Sequence, residues 1–421
     1  MLKIINEDKI SNEHLNINIE IYRAKFFCNI VKNFINNAVS ILNSKIFSVK
    51  KSFPRTLINL LSSWMFNLYS SPNFNPKLDP FLANNFNEVE CLKETLEDLV
   101  HYDETLKNTD VLIKKLLDTL IKTYEEQLNY FYSYKKNINK INQPYSVCKI
   151  EHKQVRQNEK NESETISFYK FITNAKIDFY DKRLNNILNN ILIPYDEYDK
   201  LKLNYSGPKD KLDEYIWIIL FRYQLLGSNN YQLGVNPSVL KNMIIDYDLS
   251  FELFASSINT SFNNYCSVYY DVEKYFGSKG SFYNVIPLSG TYDVNPPYQK
   301  NIINSCLNKL LEHLNSAQEN NRKLTFIISV PIWDSEGKKI MTETYNNNLP
   351  QQNIDYGDFE TLTKVKQSSF CKCVRMIPKN EFTYYDHNFK LYKNKTIQNT
   401  YMFILSTTDI DSSKLLSYDF K

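Results

Sequence analysis

The residues best suited to chemistry in this chain are Asn295-Pro296-Pro297-Tyr298. An Asn side-chain oxygen and the carbonyl of the proline after it can both accept hydrogen bonds from an aromatic amine. Such an amine is a poor nucleophile, because its lone pair is delocalised into the ring. Two bonds to acceptors fixed in space draw the nitrogen toward tetrahedral geometry and aim its lone pair at an electrophilic carbon. The two prolines stiffen the loop, so the acceptors are placed before the amine arrives. The Tyr298 ring offers a stacking surface for a base. The tetrad therefore suits methyl transfer from a sulfonium to an exocyclic amine such as adenine N6, and that reaction requires no covalent intermediate and no metal. A Pro-Pro turn opening a helix is the plainer alternative, since proline is favoured at a helix start.

Upstream lies Tyr275-Phe276-Gly277-Ser278-Lys279-Gly280-Ser281, a local concentration of glycine in a chain with only 8. A loop of this kind lets backbone approach a ligand closely and offers N–H donors to a carboxylate or ribose, although an ordinary turn has the same composition. Pro287-Leu288-Ser289-Gly290 is a second turn. Trp333 follows an apolar run that ends at Val330-Pro331, where it could stack on a base or simply pack. The five histidines show no metal-ligand spacing, and no P-loop or G-x-S-x-G occurs. Cys371 and Cys373 form a C-x-C with no second pair nearby. Two thiols of one strand are the simpler reading than a zinc site, and no metal centre is expected.

These residues need a scaffold. Short apolar runs at Tyr292–Val294, Leu324–Val330, Lys372–Ile377 and Tyr401–Leu405 read as strands. Between the first two, residues 298–320 read as an amphipathic helix with Ile302, Ile303, Cys306, Leu307, Leu310, Leu311 and Leu314 on its buried face. Strand, helix and apolar strand make a βαβ unit, whose continuous apolar strands suit a parallel sheet covered on both faces. The tetrad then sits beyond the carboxyl end of a strand, where open α/β sheets bind ligands. The first half reads helical: 19–46, a segment opened by Pro54, and 89–134 with a stripe of Leu112, Leu116, Leu117, Leu120 and Ile121. Residues 135–165, poor in apolar side chains, read as a polar linker, and helical patterning resumes near Ser167.

The chain has 421 residues, enough for two to four domains. With 50 Lys plus Arg against 47 Asp plus Glu the net charge is +3, which excludes a polybasic or strongly acidic tail protein. Its 31 Tyr and 26 Phe exclude a disordered chain. No apolar run approaches the length of a membrane span, and the N-terminus turns polar too early for a signal peptide. Seven scattered cysteines fit a reducing, intracellular compartment.

The ordered series Phe251-Glu252-Leu253-Phe254-Ala255-Ser256, Asn259, Tyr265-Cys266-Ser267, Tyr275 to Gly280, Pro287 to Gly290, Asn295 to Tyr298, Phe326-Ile327 and Pro331 with Trp333 resembles the phosphorylated-CTD-interacting factor family. That resemblance spans about residues 216–405. It implies a cap-specific adenosine N6-methyltransferase that uses S-adenosyl-L-methionine and acts on the 2′-O-methyladenosine beside the 7-methylguanosine cap. It implies a catalytic loop of Asn295, Pro296, Pro297 and Tyr298. Cofactor contacts would come from Phe276, Gly277, Ser278, Gly280, Asn295 and Pro296. The capped RNA 5′ end would meet Arg23, Arg55, Lys300, Trp333, Asp334, Ser335 and Glu336. Nuclear localisation follows by the same resemblance, or cytoplasmic for a viral chain. Trp64, Trp217 and Trp333 do not provide the paired aromatics of a WW domain, so a member lacking that domain, and not recruited by the polymerase tail, is expected.

The expected architecture is α/β: a Rossmann-like methyltransferase domain at 211–421 packed against a helical domain at 1–205. Two other functions share these features. One is an N6-adenine methyltransferase for DNA or internal RNA sites. The other is a catalytically inactive subunit that binds capped RNA.

Overall fold

The computed structural model describes residues 2–4, 15–41, 109–136, 145–157, 163–175, 188, 190–226, 232–297, 300–331, 360–378, 381–387, 391–393 and 399–420. Strand β1 (Leu2–Ile4) precedes helices α1 (Ile17–Ile41) and α2 (Thr109–Lys136). Next come β2 (Val147–Gln157), β3 (Ser163–Thr173), β4 (Ile191–Pro194), α3 (Tyr195–Asn204) and α4 (Leu212–Leu225). They are followed by β5 (Leu233–Val235), α5 (Pro237–Tyr247), β6 (Leu249–Glu252), α6 (Tyr270–Glu273), β7 (Val285–Pro287), β8 (Gly290–Val294), α7 (Lys300–Glu319) and β9 (Leu324–Pro331). The last are α8 (Glu360–Gln367), β10 (Cys371–Ile377), β11 (Tyr384–Asp386), β12 (Leu391–Lys393), β13 (Thr400–Ser406) and α9 (Ser413–Ser417). Among the described residues no helix is long and apolar enough to cross a membrane.

Contacts divide the chain into a helical unit, residues 8–229, and a sheet unit, residues 1–7 with 230–421. The boundary thus lies beyond the expected 205–211. Helix α4 explains the difference: Ile216, Trp217, Ile218, Ile219, Leu220 and Phe221 are all buried, so it is apolar all round and needs cover on every side. Strand β1, expected in the helical domain, pairs antiparallel with β7 of the sheet unit.

In the helical unit, α1 and α2 pack through the spacing read from sequence. Ala24, Phe27, Val31, Phe34 and Ile35 are buried on α1, and Leu116, Leu117 and Leu120 on α2. The segment opened by Pro54 lies outside the described residues. The polar stretch 135–165 is not a linker throughout: Val147–Gln157 forms β2, paired antiparallel with β3, which in turn pairs with β4. β2 is an edge strand whose side chains are largely exposed, so backbone bonds hold it without an apolar face. β3 replaces the helix expected near Ser167. It is the central strand, and Phe168 and Phe171 are buried on its opposite faces. Their separation of three residues imitates a helical stripe.

Arg23 is not placed for a ligand. It is 1% exposed and ion-paired with Glu20 on the same helix. Its guanidinium lies 5.4 Å from the Phe131 ring centroid. Arg222 of α4 donates to the same carboxylate, from Nη2 at 2.5 Å and from Nε at 3.1 Å. Burial alone would raise the Glu20 carboxyl, but Arg222 and Arg23 outweigh it and hold it below its ordinary value.

The sheet unit is α/β. Its main sheet has the order β10-β13-β9-β8-β6. β6, β8 and β9 are parallel, and β13 runs antiparallel to both β9 and β10. The βαβ unit read from sequence is β8-α7-β9. Phe326, Ile328 and Val330 pack on one side with Ile303, Cys306, Leu307 and Leu310 of α7. Ile327, Met402 and Ile404 pack on the other with Val239, Leu240 and Met243 of α5. Both faces are therefore covered, which is why these strands read as unbroken apolar runs.

Candidate active site at the ends of β6 and β8

Two single-residue parallel bridges, Glu252 to Tyr265 and Tyr265 to Ser278, continue the sheet beyond β6. Chain order therefore runs outward in one direction from β6 and in the other from β8. Between these two strands it reverses, which makes the crevice beyond their carboxyl ends the topological switch point. Asn295 is the first residue past β8, and α7 begins at Lys300. Asn295, Pro296 and Pro297 therefore follow the strand directly, ahead of that helix in the chain.

A cavity opens at this point, lined by Leu233, Gly234, Val235, Leu240, Glu252, Phe254, Asn259, Asp293, Asn295 and His387. The Asn295 Oδ1 atom is buried and has no hydrogen-bond partner, and the same is true of Asp293 Oδ1. Glu252 and Asp293 are direct partners in the β6–β8 register, and they are 8% and 3% exposed. Burial, and then the charge of Glu252, push the Asp293 carboxyl well above its ordinary range. Unpartnered acceptors in a buried site fit a ligand that brings N–H donors.

The walls are fixed by short-range bonds. Glu252 Oε2 accepts from the Ser261 N–H at 3.1 Å. Asn259 Oδ1 accepts from the Ser256 N–H at 2.7 Å, and Ser256 Oγ donates to Gln232 Oε1 at 2.5 Å. Behind this loop the fully buried Glu273 accepts from the N–H and Oγ of Ser257, at 2.7 and 2.8 Å, and from the Tyr269 N–H at 3.1 Å. His387 reaches the cavity because β11 pairs with β5 and the His387 N–H donates to Gln232 O at 3.2 Å. A Cβ on Gly234 would lie 3.2 Å from His387 Nε2, so glycine lets the ring rest against β5.

The N–H donors of the glycine loop are bonded within the protein. The N–H groups of Gly277, Ser278 and Lys279 donate to the carbonyls of Lys274, Glu273 and Tyr265, at 3.4, 3.2 and 2.8 Å. The Gly280 N–H donates to Ser278 Oγ at 3.1 Å. All four donors are used within the protein, Phe276 is a core residue, and none of Phe276, Gly277, Ser278 and Gly280 lines the cavity. The glycines are needed for the turn itself. Gly277 has φ +102°, and a Cβ there would come within 2.1 Å of Asn263 O. Gly277→Ala is expected to destabilise the sheet unit by more than about 1–2 kcal/mol, the cost of a left-handed backbone alone. Thermal unfolding would show this as a lowered midpoint.

Of the other expected contacts, Lys300 is the first residue of α7. Arg55, Tyr298, Trp333, Asp334, Ser335 and Glu336 lie outside the described residues. Sequence reading missed Glu252, Asn259, Asp293 and His387 as site residues. The available signal was a carboxylate inside each of two apolar strands, in Phe251-Glu252-Leu253 and Tyr292-Asp293-Val294.

Residues 196–355 match the family model described as Phosphorylated CTD interacting factor 1 WW domain. Over 163 residues the chain is 29% identical to the mRNA (2'-O-methyladenosine-N(6)-)-methyltransferase of Mus musculus, and to that of Homo sapiens. That stretch is 37% of this chain and 23% of each relative, so the chain spans less than a quarter of the length of the curated relatives it matches. The family model takes in Glu252, Asn259, Asp293 and Asn295. It also corrects one expectation. A chain lacking the WW domain conflicts with a match to a model of that description. The described part of the matched stretch holds helices α3, α4, α5 and α7 and the parallel strands β6, β8 and β9.

Proposed function

We propose that the sheet unit is a Rossmann-like methyltransferase domain that methylates N6 of the adenosine next to the cap of mRNA, using S-adenosyl-L-methionine. The observation that carries this reading is the unpartnered, buried Asn295 Oδ1, held beside two prolines at the switch point of an α/β sheet. The 29% identity over 163 residues to the mouse and human enzymes supports the choice of substrate.

The cofactor, when bound, supplies an electrophilic methyl group. The cavity at the ends of β6 and β8, with Phe254, Asn259 and Glu252 on its walls, is where it would sit. Asn295 Oδ1 accepts one N–H of the adenine amine, and the Pro296 carbonyl accepts the other. Together they orient the lone pair, and Pro297 keeps the loop from relaxing. The apolar wall of Leu233, Val235 and Leu240 excludes water, which strengthens both bonds. The chain's net charge of +3 gives little attraction to RNA at large, so recognition rests on a localised pocket for the capped end.

The test uses the full chain with radiolabelled cofactor. Its substrates are capped RNA beginning with adenosine, the same RNA with a bare triphosphate, RNA with adenine only inside, and duplex DNA. Capped RNA is expected to react about tenfold faster or more, the effect of roughly 1.4 kcal/mol of cap contacts. Equal rates on capped and uncapped ends would favour an N6-adenine methyltransferase of other sites. Retention of capped RNA without transfer would indicate a binding subunit.

A further inference from the structure

One wall of the cavity belongs to a part of the fold outside the main sheet. Leu233, Gly234 and Val235 of β5, Leu240 of α5 and His387 after β11 supply it. Among the described residues β5, β11 and β12 form a sheet of their own and share no strand with the main sheet. One end of β5 is tied to the loop after β6, by Ser256 Oγ donating to Gln232 Oε1 at 2.5 Å. At the other end Val235 pairs with Tyr384 of β11. There the Thr383 N–H donates to Phe420 O at 2.8 Å. The Phe420 ring stacks on Phe382, with centroids 5.5 Å apart and an interplanar angle of 17°. Leu415, Tyr418 and Phe420 share a core with Val235, Leu240, Phe382 and Tyr384.

Residues 413–420 are themselves fastened to β10 and to α5. Arg375 Nη1 of β10 donates to Leu415 O and to Tyr418 O, both at 2.8 Å. Its guanidinium lies 4.9 Å from the Phe420 ring centroid. At the end of α5, Asp246 accepts from the Tyr418 hydroxyl at 2.7 Å and from Lys414 Nζ at 3.0 Å. The Tyr247 hydroxyl accepts from the Leu415 N–H at 2.8 Å. None of residues 413–420 lines the cavity.

Resting on the methyltransferase reading for the cavity's ligand, we propose that residues 413–420 form a strap that sets the position of the β5–β11 wall, with Tyr418 and Phe420 as positioning residues. Docked, the strap holds β11, and through it β5, against the ligand. Released, it lets that wall swing away about its remaining tie at Gln232. A small sheet held by few contacts opens at lower free energy than a main sheet covered on both faces. Ligand binding and strap docking favour the same state, so each strengthens the other by the same factor. Ordinary core packing behaves differently: its loss loosens the whole unit, and it gives no response to a ligand it does not touch.

The experiment is amide hydrogen exchange on the full chain, with and without S-adenosyl-L-homocysteine, beside calorimetric titration of that ligand. In the wild-type chain the ligand is expected to slow exchange in the peptides carrying Thr383 and Leu415, whose N–H groups bond within the strap's contacts and outside the cavity lining. Tyr418→Phe keeps the ring and loses the bond to Asp246. In that variant the amides of β5 and β11 should exchange faster, those of β8 and β9 should not, and affinity for the ligand should fall about fivefold or more. Phe420→Ala should act in the same direction and more strongly. Should it not fold, Tyr418→Phe and the wild-type chain still decide. Exchange at Thr383 and Leu415 that ignores the bound ligand overturns the proposal. So does a Tyr418→Phe chain with wild-type affinity, or one in which β8 and β9 loosen as much as β5. Those results leave the methyltransferase reading standing. Failure of the ligand to bind the wild-type chain removes that reading, and exchange of β5 against β8 in the ligand-free variant then decides on the strap alone.

Discussion

Asn295→Ala is expected to lower the methyl-transfer rate by about 10²–10³ while leaving the fold intact. Removing one preplaced acceptor from a dry site has an effect of this size when the acceptor acts on the reacting group. The fold should survive because Asn295 lies just past β8, in the loop, and its Oδ1 has no protein partner to lose. The variant even relieves a buried, unpaired oxygen, so its melting temperature should match or slightly exceed that of the wild-type chain. The informative measurement is single-turnover transfer to capped RNA beside a thermal unfolding curve. A slow enzyme with an unchanged melting temperature is the expected pair of results. A near-normal rate would remove the tetrad from the mechanism.

Glu20→Ala should act in the opposite way, through stability. It removes a carboxylate that ion-pairs with both Arg23 and Arg222, two guanidinium groups buried at 1% exposure. Breaking a buried ion pair from one side costs about 3–5 kcal/mol, because the remaining charge is uncompensated. Since the Glu20 carboxyl is held below its ordinary value of 4.5, its contribution is complete above that pH. It fades as pH falls through the lower, folded-state value. Chemical denaturation of wild type and variant at neutral pH and at about pH 3 would check both statements: the gap between them should narrow in acid. Arg23→Ala should likewise lower stability and leave affinity for a capped RNA end unchanged, in contrast to the role the sequence suggested.

The legible part of the fold was the part with a strong period. β8, α7 and β9 announced themselves because a strand buried on both faces must be apolar at every position, and a covering helix must be apolar on one side. β13 was legible for the same reason, although not its pairing, since nothing local says that it inserts between β9 and β10. Tyr265 and Ser278 take single places in the sheet, too short to leave any pattern. β2 was misread because an exposed edge strand has no need of apolar residues. In the site, Asn295 was legible because proline spacing made it conspicuous. The Glu252–Asp293 pair was not, because the two residues are 41 positions apart and meet only through strand register. The glycine loop is a different case. Its composition is that of a ligand cradle, but hydrogen bonding within the protein uses its donors.

The insertion of β13 also has a bearing on synthesis. β9, Leu324-Thr325-Phe326-Ile327-Ile328-Ser329-Val330-Pro331, is bordered on one side by β8, which precedes it in the chain, and on the other by β13, which begins at Thr400. At roughly 5–20 residues per second a ribosome needs about 3–14 s to make the intervening stretch. Throughout that interval one edge of a β-branched, uncharged strand is without its partner. Such an edge is a template for pairing with a neighbouring chain. The nascent protein is therefore most exposed to aggregation after the βαβ unit has formed and before its last long strand has left the ribosome. Slower translation over residues 332–399 would lengthen that exposure, and a chaperone that covers strand edges would act to greatest effect within it.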